Sequence, residues 1–360
     1  TVSRIGELKH GDGRQLRDFV RERQVLDGVR SRARSEGLDP DVAERLLTTL
    51  IEASLTRQER ERVRLTGAGS GRSALVVGGR GRMGRWLARF LDSQGYDVGI
   101  ADPALLDSEL DEGRNVRDWR EAPGNPDLVV VAAPIAVSAG VLAQLAEQGS
   151  SALVLDVASV KQPLIDALQQ AASGGLRVCS IHPMFGPDTV LLAGRNVLFM
   201  DCGNADAVAG ARALFADTMA SCVDIPLADH DALAAWVLGL SHLVNVAFAA
   251  ALSDSGLPAE SLAAASSTTF LRQLAVATDV AAENPSLYFE IQRLNPHQAG
   301  VSEAFERTVS ALREAVSRGD GPGFDDLMRA GRRWTKEHRQ ARAGESETGA
   351  GESPSGKERT

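Results

Sequence analysis

The sequence predicts an α/β fold, a doubly wound parallel sheet with one helical block before it and another after it. Three observations carry that expectation. Short β-branched runs alternate with helical segments between residues 73 and 227. A glycine-rich turn joins the first of these strands to its helix, and strand signals stop near residue 228, where alanine- and leucine-rich segments begin.

Residues 1–65 read as a partial all-helical domain. Asp39 is placed to cap a helix, Pro40 suits its first turn, and Val42, Ala43, Leu46, Leu47, Leu50, Ile51 and Leu55 recur at helical spacing. The chain opens on Thr1 in what reads as mid-helix, so we expect a further segment upstream. Residues 66–72 form a Gly- and Ser-rich linker. Within the sheet domain, 73–227, strands are expected at 74–77, 97–101, 128–132, 152–156 and 177–180. Residues 228–342 read as an all-helical domain. Residues 343–360 carry Gly, Ser, Glu and Lys without an apolar period, and we expect a disordered tail.

Composition narrows the partners. An apolar content of 43% over 360 residues supplies ordinary cores for two or three domains. A net charge of -9 offers no basic field for phosphates, and the basic run at 57–64 is interleaved with acids, so nucleic acid is not expected as a partner. Cys179, Cys202 and Cys222 are too few and too scattered for a zinc cage or a disulfide framework, and read as buried thiols in a reducing cytoplasm. No metal site is expected. No uninterrupted run of eighteen apolar residues and no signal-peptide pattern occurs, so no membrane partner is expected either.

The nucleotide turn is the clearest motif. Gly79, Gly81 and Gly84 have the G-x-G-x-x-G spacing, with Met83 inside the turn, directly after a strand and directly before an amphipathic helix. Glycine allows the tight turn and the close approach of a pyrophosphate, and the helix N-terminus then faces the phosphates, as in a Rossmann-like domain. Asp102 ends the next strand, placed to accept hydrogen bonds from a ribose diol and to repel a 2′-phosphate. NAD is therefore expected over NADP, a preference that Arg80 and Arg82 temper. Pro134, after Ala133, closes a strand where such folds pass beneath the nicotinamide half; a plain strand terminator explains the pair nearly as well.

Two adjacent strand ends then supply a hydroxyl and an imidazole. The segment 156–161, Asp-Val-Ala-Ser-Val-Lys, puts Ser159 and Lys161 at the carboxyl edge of the sheet, where ligands bind in this architecture. His182 ends the following strand and leads into Pro-Met-Phe-Gly-Pro, a rigid turn. Such a pair can hold a substrate alcohol and take its proton while a hydride leaves the carbon.

Together these motifs resemble the bifunctional T-protein family, in which chorismate mutase is fused to prephenate dehydrogenase. The likeness covers residues 2–339 and rests on 78–84, 156–161, 182–188, Asp229-His230-Asp231 and His242. It implies NAD-dependent oxidative decarboxylation of prephenate to 4-hydroxyphenylpyruvate in tyrosine biosynthesis and a helical domain that pairs two copies into a homodimer, and it leaves tyrosine open as a feedback inhibitor. His182 would accept the hydrogen bond of the 4-hydroxyl, Ser159 would be its second partner, and His242 would face the substrate cleft. For His230 a surface or capping role is at least as well supported. Where the family carries an arginine for a substrate carboxylate, this chain has His297, just after Pro296, so Arg293, Arg272 or a protonated His297 is expected to serve, with Lys161 as a further candidate. That departure leaves prephenate, arogenate and 4-amino-4-deoxyprephenate open as substrates.

The N-terminal block is similar to the all-helical chorismate mutases. Asp18, Arg21 and Glu22 fall on one helix face, as do Ser54 and Gln58 on another. By the resemblance, Lys9 and Gln58 hydrogen-bond the ether oxygen of chorismate, Glu22 meets its hydroxyl and Ser54 a carboxylate, so that catalysis is electrostatic. The bland reading is a dimerisation arm with exposed charge pairs. Two arginines that the family places on the first helix are absent from the chain as given, which is therefore expected to be a poor mutase. Two other classes are weaker. A β-hydroxyacid dehydrogenase would use a lysine of the second domain, and none occurs between Lys161 and Lys336; a non-catalytic module sensing NAD or tyrosine would leave Ser159, His182 and His242 unexplained.

Overall fold

The computed structural model describes residues 19–111 and 114–348. Helices α1 (Phe19–Ser35) and α2 (Pro40–Thr66) pack side by side, and Asp39 caps the second through Oδ1, which accepts from the Asp41 and Val42 amides at 2.8 and 3.3 Å. From α2, Leu55, Glu59 and Val63 are buried at i, i+4 and i+8, a stripe that docks the helix.

The sheet domain follows as β1 (Ser73–Val77), α3 (Arg82–Ser93), β2 (Asp97–Ala101), β3 (Asn115–Val116), β4 (Leu128–Val131), α4 (Ile135–Glu147), β5 (Leu153–Asp156), α5 (Ile165–Ser173), β6 (Arg177–Pro183), β7 (Asn196–Asp201), α6 (Ala205–Ala213) and β8 (Ser221–Asp224). The strand order is β3-β2-β1-β4-β5-β6-β7-β8. Strands β3 to β6 in that order are parallel, and the reversal on either side of β1 and β4 is the doubly wound topology. The expected all-parallel sheet is corrected at β7, which runs antiparallel to β6 because a loop, 184–195, returns the chain without a crossover helix. Alternate residues of the central strands feed two cores. Val129, Val154 and Val178 meet Leu142 and Leu168 on one face, while Val130, Leu155 and Cys179 meet Leu87, Leu91 and Phe199 on the other.

The remaining elements are helical: α7 (His230–Ala234), a π turn (Ala235–Leu240), α8 (Ser241–Ser253), α9 (Ala259–Ala264), α10 (Thr268–Ala281), α11 (Pro285–Leu294), α12 (Gln298–Arg318) and α13 (Gly321–Thr348). Pro296 separates α11 from α12, as its missing amide requires. The run Leu227–Ser253, with a mean hydropathy of 1.7 over its most apolar window, is long and apolar enough to cross a membrane by composition, although polar residues interrupt it. It also carries His230 and Asp231, both buried against the sheet domain. Helix α13 continues to Thr348, so 343–348 are helical where the composition reads as a tail; Ala and Glu in that stretch favour extension of the preceding helix. The rest of that expected tail, 349–360, lies outside the described residues, as do Lys9 and Asp18.

Candidate active site

Five neighbouring strands end on one edge, and across β2, β1, β4, β5 and β6 they present Asp102, the glycine turn, Pro134, Ser159 and His182 in that order. The turn is built for a ligand's phosphates. Gly78 has φ +81°. A Cβ on Gly84 would lie 2.2 Å from the Gly78 carbonyl oxygen, so only glycine lets α3 pack so close. Gly81 caps α3 without a side-chain acceptor, leaving first-turn amides for an anion. Met83 packs beneath, on the core. The Asp102 carboxylate accepts from the Arg80 amide at 3.0 Å and the Ala104 amide at 2.9 Å, which fixes it at the strand end with lone pairs to spare for a diol. Pro134 is the N-cap of α4. These residues fit a dinucleotide. Arg80 and Arg82, read as moderating the cofactor preference, are both engaged with acids: Arg80 with Glu109 at 3.2 Å, Arg82 with Asp188 at 2.6 Å and Glu283 at 2.7 Å.

His182 is 5% exposed and held from behind. Its Nδ1 lies 2.8 Å from Nε2 of His230, and Nδ1 of His230 lies 2.7 Å from Oδ1 of Asp231. The same carboxylate accepts the backbone amides of Lys161 and Gln162, each at 2.8 Å, so β5's end and α7 are tied together at this point. Asp231 is an acceptor only when ionised, and burial, which would raise its pKa, is overcome by the hydrogen bonds from His230 and those two amides, leaving it below the ordinary value. It therefore accepts a hydrogen bond from His230 Nδ1–H. His230 Nε2 then carries a lone pair, which accepts a hydrogen bond from His182 Nδ1–H, and His182 Nε2 is left as a lone pair with no protein partner among the described residues. Burial first, then the neighbouring His230 and the Lys161 cation, hold the His182 pKa well below 6.5, so the ring is neutral at neutral pH.

The structure corrects two sequence expectations here. Lys161 is not at the surface of a cleft: it is fully buried, its Nζ 2.7 Å from Asp156 and 2.9 Å from the Ile181 carbonyl, where it neutralises Asp156 beneath the site. His230 is not a surface or capping residue but the inner partner of His182. Ser159 is half-buried at the end of β5, and the hydrogen bond at His182 Nδ1 goes to His230 rather than to it. His242, on α8, stacks on Tyr288 of α11 with ring centroids 4.0 Å apart; its Nδ1 is buried without a partner among the described residues, and burial lowers its pKa to about 4. His297 and Arg293 are exposed, the guanidinium 5.8 Å from the Phe289 centroid. Their turn is nonetheless tied to the relay: Asn295 Nδ2 donates to the Asp231 carbonyl at 2.8 Å and Asn295 Oδ1 accepts the His297 amide at 2.9 Å. The sequence names Asp231 only within the Asp-His-Asp triplet at 229–231, without a role, and gives no signal for Asn295.

Of the mutase candidates, Arg21 and Glu22 lie on α1, and Gln58 Nε2 donates to Ser54 Oγ at 3.3 Å on α2.

A doubly wound nucleotide domain, a helical second domain and a lone-pair imidazole at the junction define a two-domain dinucleotide-dependent oxidoreductase. Family descriptions match accordingly: the nucleotide-binding domain of prephenate dehydrogenase over residues 88–222, its dimerization domain over 226–330, and chorismate mutase type II over 1–59. Among characterised relatives, the T-protein of Enterobacter agglomerans is 26% identical over 340 residues, covering 94% of this chain and 87% of that protein. The 4-amino-4-deoxyprephenate dehydrogenase of Streptomyces pristinaespiralis is 31% identical over 265 residues, 71% of this chain and 88% of that protein. The crystal structure of prephenate dehydrogenase from A. aeolicus, in complex with hydroxyphenyl propionate and NAD+, shares the fold with a TM-score of 0.60 at 20% identity, covering 75% of this chain and 99% of that one. The chain belongs to the prephenate dehydrogenase family, fused at its N-terminal side to a type II chorismate mutase domain.

Proposed function

We propose that this chain oxidises prephenate to 4-hydroxyphenylpyruvate and carbon dioxide with NAD. The observation that carries the reading is the Asp231-His230-His182 relay, which leaves an unpartnered lone pair at the sheet edge. Gly79, Gly81 and Gly84 would hold the pyrophosphate, Asp102 the adenosine ribose, and Pro134 the passage toward the nicotinamide, which accepts a hydride when bound. His182 Nε2 receives the 4-hydroxyl proton as the hydride leaves C4. The ring carboxylate departs as carbon dioxide, its electron pair enters the ring, and the proton returns to the phenol oxygen, so no net proton is released. Ser159 is the second partner of that oxygen. His242, neutral above about pH 4, offers its free Nδ1 to the substrate from the helical side. His297 and Arg293, on the turn that Asn295 ties to the relay, are the candidates for the side-chain carboxylate.

The N-terminal block would supply prephenate from chorismate, with Gln58 and Ser54 on α2 and Glu22 and Arg21 on α1. The helical domain would pair two copies: Leu233, Trp236, Val237 and Val246 on one helical run are each about half exposed, and an apolar face of this size is unfavourable in water. We place the enzyme in the cytoplasm, and tyrosine as its inhibitor. Following NADH formation with prephenate, arogenate and 4-amino-4-deoxyprephenate in parallel tests the substrate. The highest kcat/KM belongs to prephenate on this reading, and turnover of either alternative without turnover of prephenate overturns it.

A further inference from the structure

Glu59 is a carboxylate in a stripe that otherwise docks by apolar contact. It lies between Leu55 and Val63 on the buried side of α2 and is 4% exposed. A buried carboxylate at a packing position is costly unless its oxygens are satisfied, and here both are. Oε2 accepts the Leu192 amide at 2.9 Å and Oε1 the Met219 amide at 2.5 Å, so one side chain of the mutase-type block holds two loops of the dehydrogenase domain. Met219 lies between α6 and β8. Leu192 lies in the loop 184–195, which begins directly after His182 and Pro183 close β6.

That loop reaches the nucleotide turn. Phe185 packs edge-on against Trp86 of α3 at 5.0 Å, Trp86 Nε1 donates to the Thr189 carbonyl at 2.8 Å, and Asp188 takes Arg82 of the turn at 2.6 Å. Every one of these ties comes from α3. The far limb, at Leu192, packs its side chain on the sheet-domain core, while its amide is held by Glu59, from a different domain. We propose that Glu59 is a positioning residue for the dehydrogenase reaction, whose carboxylate fixes the 184–195 loop between His182 and the glycine turn. The mutase-type helix is thereby part of the dehydrogenase scaffold, with the mutase candidates Ser54 and Gln58 on the same helix as the anchor. The inference rests on the dehydrogenase reading for its kinetic consequence only.

The test compares Glu59→Ala and Glu59→Gln with the parent chain and with Arg62→Ala, which removes the half-exposed pair between the same helix and Asp217, in the segment between α6 and β8, and leaves the Leu192 contact in place. In the alanine variant KM for prephenate or NAD should rise about tenfold while kcat changes less than about threefold, because the chemistry is untouched and the loop is not. Hydrogen exchange should accelerate in the peptides spanning 184–195 and Met219, with the rest of the chain unchanged. The glutamine variant, which keeps one acceptor oxygen, should fall between the two in both readouts, and Arg62→Ala should match the parent in its kinetic constants and in exchange over 184–195. Kinetic constants and loop exchange within twofold of the parent in both Glu59 variants overturn the proposal. So does a uniform rise in exchange across the chain, which would mark a general structural role. If Glu59→Ala does not fold, the glutamine variant carries the same comparison. If the parent shows no turnover of prephenate, the functional reading fails, and exchange in 184–195 alone decides the Glu59 anchor.

Discussion

His182 Nδ1 sits 2.8 Å from His230 Nε2, a contact that joins the end of a sheet strand to the first turn of the helical domain. The pair is sequence-distant and buried, and Asp231 sets its direction: with a carboxylate behind His230, the His230 Nε2 lone pair accepts from His182 Nδ1, and the remaining lone pair is left on His182 Nε2. The nitrogen proposed to meet substrate is thus chosen by a residue two hydrogen bonds away.

Reversing that direction tests the relay. In Asp231→Asn the amide can turn an N–H toward His230 Nδ1, which places the proton on His230 Nε2 and forces His182 to carry its own on Nε2. Turnover should fall by about two orders of magnitude, with KM for prephenate within a few-fold of the parent, as expected when general-base competence is lost and binding is kept. A circular dichroism spectrum and melting curve check that the loss of the Lys161 amide bond has not unfolded the chain.

The acid limb of the rate profile follows from the same ring. His182 accepts a proton only when neutral, and burial holds its pKa well below 6.5. The fall in kcat/KM on acidification should therefore have its midpoint below pH 6.5. A midpoint at or above that value would mean that the imidazole is solvated and the relay open.

Stability should respond to pH through His242. Its folded pKa is about 4, against an ordinary 6.5, so below pH 6.5 the unfolded chain takes up a proton that the folded chain refuses. Stability is unaffected above that point, declines as pH falls from 6.5, and stops declining through this group below about 4. Buried His182 and His230 act in the same direction. The drop in urea midpoint between about pH 7.5 and about pH 5 should be smaller in His242→Phe than in the parent.

The sequence carried the sheet, the glycine turn, Asp102 and His182, because each depends on local pattern: alternation of strand and helix, a fixed glycine spacing, a residue at a strand end. It did not carry β7, which reverses direction after a loop with no helix to announce it, nor β8 beyond. Lys161 and His230 were misplaced for one reason. Each lies next to the site in sequence, but its burial is set by contacts across the fold: the Ile181 carbonyl of the neighbouring strand, beside Asp156 of its own motif, for the lysine, and His182 for the histidine. Glu59 reads as one more surface acid of a charged helix until β6's loop is seen against it.

Cofactor choice tests Asp102. Its carboxylate is fixed by the Arg80 and Ala104 amides at the strand end, and on the proposed reading it would meet a 2′-phosphate with like charge. Asp102→Ser should lower the preference for NAD over NADP, measured as the ratio of kcat/KM values, by about tenfold or more, the discrimination expected from removing a fixed like charge. An unchanged ratio would place the adenosine ribose elsewhere.

The most direct measurement is the rate of NADH appearance with prephenate and NAD in the parent chain and in His182→Asn. The parent should turn over, and the variant should bind NAD as before while losing about two or more orders of magnitude in kcat. Near-normal turnover in the variant, or none in a folded parent that binds NAD, would contradict the account.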